Sequence, residues 1–330
     1  MKLLASLIAV LMLFALGLLG AAGTVPGVLL GIVIPYLAVA TLLAGMTWRV
    51  LKWSRAPVPF RIPTSCGQQR SLGWIEPARL DNPSGTLGVL GRMALEVLCF
   101  RSLLRNTAAR RTPSDRLVYA WRPALWLGAM AFHGSMLVIL LRHLGMVSAP
   151  IPGPVALLAQ CDGFLAIGLP VVYLSSLAFV VALVYLLARR LSDPYLRYLS
   201  LAEDYFLVAL LLGIGLSGLA IRHWLGADLV AVKQWALGLA SLRPSLPGPV
   251  GPWLFGHLFL ACVLAAYIPF SKVVHMAGVL MSPTRNLANN SRRVRHVNPW
   301  DYPVQVHTYQ EYEDELRSKM QAAGIPVEKE

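Results

Sequence analysis

The sequence predicts an all-α fold, a polytopic bundle of six transmembrane helices, and three observations predict it. Of 330 residues, 56% are apolar and only 14% charged, and the mean hydropathy is +0.60. A soluble domain carries about a quarter charged residues, so this composition argues against an ordinary soluble enzyme. Six apolar stretches reach the ~20 residues that a helix needs to cross a hydrocarbon core. The basic excess, 29 Lys and Arg against 16 Asp and Glu, gathers between those stretches, which suits membrane orientation better than nucleic-acid binding.

The spans are expected at residues 3–19, 25–47, 124–144, 165–188, 205–221 and 253–281. The first has a second reading: Lys2, an apolar run and the small residues Gly20, Ala21 and Ala22 resemble a secretory signal peptide, whose cleavage would leave five spans. Residues 48–123 hold thirteen Lys and Arg, whereas 20–24 and 145–158 hold none. By the positive-inside rule the basic segment faces the cytoplasm, and both termini follow it there. Four units result: two N-terminal spans (1–48), a basic cytoplasmic loop (49–122), a four-helix membrane domain (123–283) and a cytoplasmic tail (284–330).

Inside the basic loop, Ile62-Pro63-Thr64-Ser65-Cys66-Gly67-Gln68-Gln69 is a punctuated turn. Residues 86–106 follow as a candidate amphipathic helix. Its polar residues Arg92, Glu96, Arg101 and Arg105 leave a wide apolar face for the membrane surface, for a partner, or for the ends of the spans. Residues 149–154 and 244–252 are rich in Pro and Gly and read as turns. In the tail, 291–296 is basic and 310–319 acidic and helical; the aromatics of Asn298-Pro299-Trp300-Asp301-Tyr302-Pro303 and Tyr309 suit docking to another protein.

Four of the seven histidines fall in two spans: His133 and His143 in the third, His257 and His275 in the sixth. Ionisable groups inside a bilayer are costly and face a cofactor, a cavity or a partner. The two spans run antiparallel, so depth matches His143 with His257 near the outer face and His133 with His275 toward the inner one. The intervals of ten and eighteen residues differ by ~12 Å of helical rise, to be shared by tilt and by ligand reach. Zinc wants four compact ligands, whereas a haem supplies four nitrogens and needs two axial ones. Each pair therefore reads as a bis-histidine b-type haem site, and six-coordinate iron points to electron transfer. Arg142, Arg222 and Lys272 are candidate propionate partners or interfacial cations. Asp162 is a candidate proton acceptor or helix cap at the outer start of the fourth span. His223 is an interfacial residue or a rival ligand. Cys66, Cys99, Cys161 and Cys262 form no C-x-x-C or C-x-x-C-H motif, which argues against an iron–sulfur cluster or covalent haem. A histidine-relay proton or ion transporter and a haem-free membrane anchor stay open; against the first, the third and sixth spans contain no carboxylate.

The histidine intervals, over roughly residues 123–283, resemble the respiratory nitrate reductase gamma subunit family of dihaem cytochromes b. The match narrows with Val58-Pro59-Phe60-Arg61 and the turn that follows it, with Ala131-Phe132-His133, with Leu140-Leu141-Arg142-His143-Leu144, and with Ser282-Pro283-Thr284-Arg285-Asn286-Leu287-Ala288-Asn289-Asn290 and His307-Thr308-Tyr309. Over nearly the whole chain these look like the cytochrome b subunits of sulfite-reduction-associated electron-transport complexes. The resemblance implies a conduit between menaquinone or another quinone, met near the outer pair where Arg142 and Asp162 lie, and cytoplasmic clusters. It further implies a cytoplasmic iron–sulfur partner similar to heterodisulfide reductase, a periplasmic multihaem cytochrome c, a periplasmic iron–sulfur protein and a second quinone-interacting membrane subunit, in a bacterial or archaeal cell membrane.

Overall fold

The computed structural model describes residues 1–56, 58, 67–105, 108–163, 171–246, 250–290 and 306–328. It is mainly helical. In chain order the elements are α1 (Lys2–Leu18), α2 (Thr24–Val28) running through a π turn (Leu29–Val33) into α3 (Ile34–Ser54), α4 (Thr86–Cys99), α5 (Arg101–Leu104), a hairpin of β1 (Ala108–Arg111) and β2 (Leu117–Ala120), α6 (Pro123–His143), α7 (Gly153–Asp162), α8 (Leu174–Ser192), α9 (Pro194–Leu199), α10 (Ala202–Ala220) with a π turn (Ile221–Leu225), α11 (Leu229–Ala240), α12 (Pro252–Tyr267), α13 (His275–Gly278) and α14 (Tyr309–Ala322). Among the described residues, six helices are long and apolar enough to cross a membrane: Lys2–Ala21, Thr24–Ser54, Pro123–His143, Leu174–Ser192, Ala202–Leu225 and Pro252–Phe270.

Packing follows the small and aromatic residues. α12 is central and packs on α1, α3 and α10, while α10 also packs on α1 and α8, and α6 leans on α8. A Cβ added to Gly17 of α1 would come within 2.7 Å of the Gly256 Cα on α12. Only glycines allow so close a crossing, the device by which membrane helices gain packing without a hydrophobic driving force. Val10, Ala209, Leu210 and Leu260 fill the α1–α10–α12 junction, and Phe179, Leu183 and Leu211 the α8–α10 seam. The widened turn Leu29–Val33 leaves ladder carbonyls short of partners; the indole of Trp235 on α11 donates to Gly31 O at 3.1 Å.

Three expectations are corrected. The fourth span begins at Leu174, and Asp162 is the last residue of the separate α7; residues 164–170, with which that span was expected to open, lie outside the described residues. The sixth is not one helix over 253–281. Pro269 has no N–H and crowds the carbonyl one turn back, so α12 gives way to a 3-10 turn (Ile268–Phe270), an extended Ser271 and a second 3-10 turn (Lys272–Val274). The loop helix stops at Cys99, where Phe100 turns left-handed, and its polar side faces in: Arg92 and Glu96 are buried while Leu87, Leu90 and Leu98 are exposed.

That inversion builds a small basic head at the end of the bundle where α6 begins. Arg101 and Arg105 both pair with Asp81, and Glu96 accepts from Ser102 and lies beside Arg285. The segment after α13 closes the head: Asn289 donates its backbone N–H to Pro83 O (2.7 Å) and its side-chain amide to Asn82 (3.0 Å), whose own amide reaches Gly67 O. Most of the 62–69 turn, the basic stretch 291–296 and the aromatic stretch 298–303 lie outside the described residues. The acidic helix is present as α14, opened by a reciprocal cap in which Thr308 and Glu311 exchange hydrogen bonds.

Candidate cofactor site

The four histidines share one local arrangement; three lie in spans and His275, after the break at Pro269, opens α13. On α6, His133 and His143 each place Nδ1 2.8 Å from the carbonyl one turn back, Ala129 O and Ile139 O. His275 does the same with Lys272 O at 2.8 Å. A carbonyl can only accept, so these Nδ1 atoms carry the hydrogen, and in the neutral imidazole the lone pair then falls on Nε2. His257 reaches that state through a side chain: the Ser217 hydroxyl donates to Ile214 O (3.1 Å) and accepts from His257 Nδ1 at 2.9 Å. Fixing one nitrogen to orient the other is how proteins prepare a metal-ligating imidazole.

The fold brings His133 and His275 together, with ring centroids 6.1 Å apart and planes at 84°. Two metal–nitrogen bonds of ~2 Å each, plus the distance from each nitrogen to its ring centre, span about this separation. The break at Pro269 permits it, because no continuous 27 Å rise has to be absorbed between His257 and His275. At the far end of the bundle His257 is half-buried against α10, where a Cβ on Gly218 would come within 3.1 Å of its ring. α6 and α12 do not form an extensive packing seam with each other. Among the described residues no three His, Cys, Asp or Glu side chains gather as a metal cluster. Paired imidazoles with free Nε2 atoms fit a group that brings its own equatorial ligands.

The far end holds a second cluster. Arg142 Nε pairs with Asp162 at 2.9 Å, both side chains nearly buried. The Asp162 carboxylate also accepts from Ser175 N (2.7 Å) and Ser175 Oγ (2.6 Å), capping α8 from outside that helix. The Arg142 guanidinium lies 3.6 Å from the Tyr173 ring centre and that of Arg222 4.3 Å from it. Arg222 Nε donates to Val171 O at 3.1 Å. Asp162 thus both caps a helix and neutralises a buried cation. His223 sits in the π turn after α10, and its buried Nε2 makes no hydrogen bond. Lys272 is ion-paired to Glu203 (2.9 Å) and Asp204 (2.8 Å), and these carboxylates hold its ammonium above the ordinary lysine value. Of the cysteines, Cys99 and Cys161 are exposed and Cys262 is buried, all as free thiols, and Cys66 lies outside the described residues.

Sequence reasoning missed Ser217, Tyr173, Phe100 and Trp126. The Phe100 ring stands edge-on to His133 at 4.9 Å, and Phe132 flanks the same imidazole at 4.7 Å. The Trp126 indole donates to Cys99 O at 2.7 Å and so pins Phe100 to α6. No motif marks these four residues; their partners lie on other elements.

A sequence model described as "Nitrate reductase gamma subunit" matches residues 88–296. The chain is 40% identical over 282 residues to a protein of Archaeoglobus fulgidus named "Hdr-like menaquinol oxidoreductase cytochrome b-like subunit", covering 83% of this chain and 84% of that one. A protein of the same name from Archaeoglobus profundus is 38% identical over 278 residues, covering 81% of each chain.

Proposed function

We propose that this chain, which belongs to the nitrate reductase gamma subunit family, is the dihaem cytochrome b of a multi-subunit complex and carries electrons across a membrane between the quinone pool and a soluble iron–sulfur partner. The observation that carries the reading is the shared state of His133, His275, His143 and His257, four imidazoles each hydrogen-bonded at Nδ1, of which His133 and His275 meet at 6.1 Å; this supports reading His143 with His257 as the second pair. When bound between the imidazoles of a pair, a b-type haem supplies a one-electron carrier. The chain orients the four imidazoles through their Nδ1 bonds, packs the His257 ring against α10, and holds Arg142 and Lys272 near the two ends.

The basic loop and tail face the cytoplasm in this reading, with both termini, and form the docking surface for a partner similar to heterodisulfide reductase. Menaquinol, the substrate in the relatives' names, exchanges electrons near His143 and His257, with Arg142 and Asp162 closest to it. The finer reading is a DsrM-type subunit of a DsrMKJOP complex in the cell membrane of a sulfur-metabolising bacterium or archaeon. Its further partners are a periplasmic multihaem cytochrome c, a periplasmic iron–sulfur protein and a second quinone-interacting membrane subunit.

The test is a reduced-minus-oxidised visible spectrum with pyridine haemochrome quantification on the purified chain. Two low-spin b-type haems per chain, reducible by a menaquinol analogue, are expected. Well-folded protein without haem would overturn the reading and promote the histidine relay or the structural anchor.

A further inference from the structure

Phe100 is a bulky aromatic residue at φ 47, ψ 45, the left-handed position that closes α4. Its N–H donates to Leu95 O in the six-to-one bond of a helix stop, and such positions favour glycine because a Cβ meets the following carbonyl there. Strain of this kind persists where the surroundings hold it, and such sites cluster where function needs a fixed geometry. Here the surroundings are specific. The Trp126 indole, two helical turns before His133 on α6, anchors the Cys99 carbonyl, and the Phe100 ring lands edge-on at 4.9 Å from His133. With Phe132 at 4.7 Å, two rings bracket that imidazole. Neither His143 nor His257 has an aromatic ring recorded against it among the described residues.

From this we infer that Phe100 is a positioning residue for the inner pair: it fixes the plane of the His133 imidazole at its 84° angle to His275. The inference rests on the paired-haem reading above. Axial imidazole orientation is one of the levers by which a protein sets the electronic state and potential of such a group. Phe100 acts through His133 and touches no substrate.

Phe100→Gly is the discriminating variant. It removes the ring and relaxes the backbone at the same position, so folding is retained while the proposed role is lost; Phe100→Tyr keeps the ring. Electron paramagnetic resonance and a redox titration of the purified, oxidised chain are the readouts, with His275→Ala identifying the inner signal by its loss. In Phe100→Gly the inner low-field signal shifts and broadens and the inner midpoint moves, because the His133 plane is no longer held. The outer signal stays in place, and Phe100→Tyr restores the inner one. Loss of the inner haem alone, restored by Phe100→Tyr, supports the same role. An inner signal and potential unchanged in Phe100→Gly would overturn it. A wild-type chain with no haem would instead sink the parent reading, so the two failures are distinguishable.

Discussion

The two histidine pairs are built by opposite means. At the far end, His257 is set within α12, held by Ser217 on the neighbouring α10, and the ends of α6, α7 and α8 are joined by the buried Arg142–Asp162 pair and its bonds to Ser175. At the basic end, His275 follows a helix break, and its partner His133 is steadied by Phe100, a residue of the head. One site is made by spans packing on spans. The other is completed only when segments distant in the chain close over it. Stiffness at the far end therefore belongs to the bundle, and order at the basic end depends on the docked head.

The largest effect that could break this comparison is ligand removal. In the dihaem reading proposed above, His257→Ala or His143→Ala should remove one haem and leave the basic-end haem intact, and His275→Ala or His133→Ala should do the reverse; haemochrome counts with paramagnetic resonance of each variant check it. Loss of both haems from any single variant would mean that the ends are one cooperative unit. Next is Asp162→Asn, which leaves the Arg142 cation buried without its counter-charge. Such a change costs about 3 kcal/mol, measured as a lowered unfolding midpoint in detergent, with the far-end haem signal altered and the basic-end signal unchanged.

The smallest effect sharpens the comparison through pH. Burial by itself would raise the Asp81 carboxyl, but Arg101 and Arg105 outweigh it and hold that carboxyl below the ordinary carboxylate value. A depressed folded value means that the contribution is present above the unfolded value of ~3.9 and is lost as pH falls through the folded one. Protection of the head against proteolysis should stay flat from neutral pH down to about 4 and fall below it. In Asp81→Asn it should be lower at neutral pH and lack that acid-dependent step. A far-end readout such as the His257-side haem signal should be indifferent to this substitution.

Much of the bundle was legible because bilayer insertion is a local property. Twenty apolar residues declare a span whatever lies beside them, and histidines in such a run stand out for the cost of placing them there. The expectation over 253–281 went past Pro269, since proline is tolerated in membrane helices when neighbours satisfy the freed groups. Only the packed structure shows that Arg49 donates to Pro269 O at 2.9 Å and that the chain restarts at Ser271. The loop helix was legible as amphipathic but not in which way it faces, because that depends on what packs beneath Arg92 and Glu96.

What the sequence by itself determined is therefore the six spans, the basic loop and the four histidines, each fixed by transfer free energy or by residue chemistry at short range. What only the tertiary structure decided is the hydrogen-bonded state of each imidazole at Nδ1, the 6.1 Å meeting of His133 with His275, the Asp162 bridge and the placement of Phe100. Several of these contacts join residues far apart in the chain, such as Asn289 with Asn82 and Ser217 with His257. A hydrogen bond a few ångströms long leaves no periodic mark in the sequence, so its partners become visible only when the chain has folded.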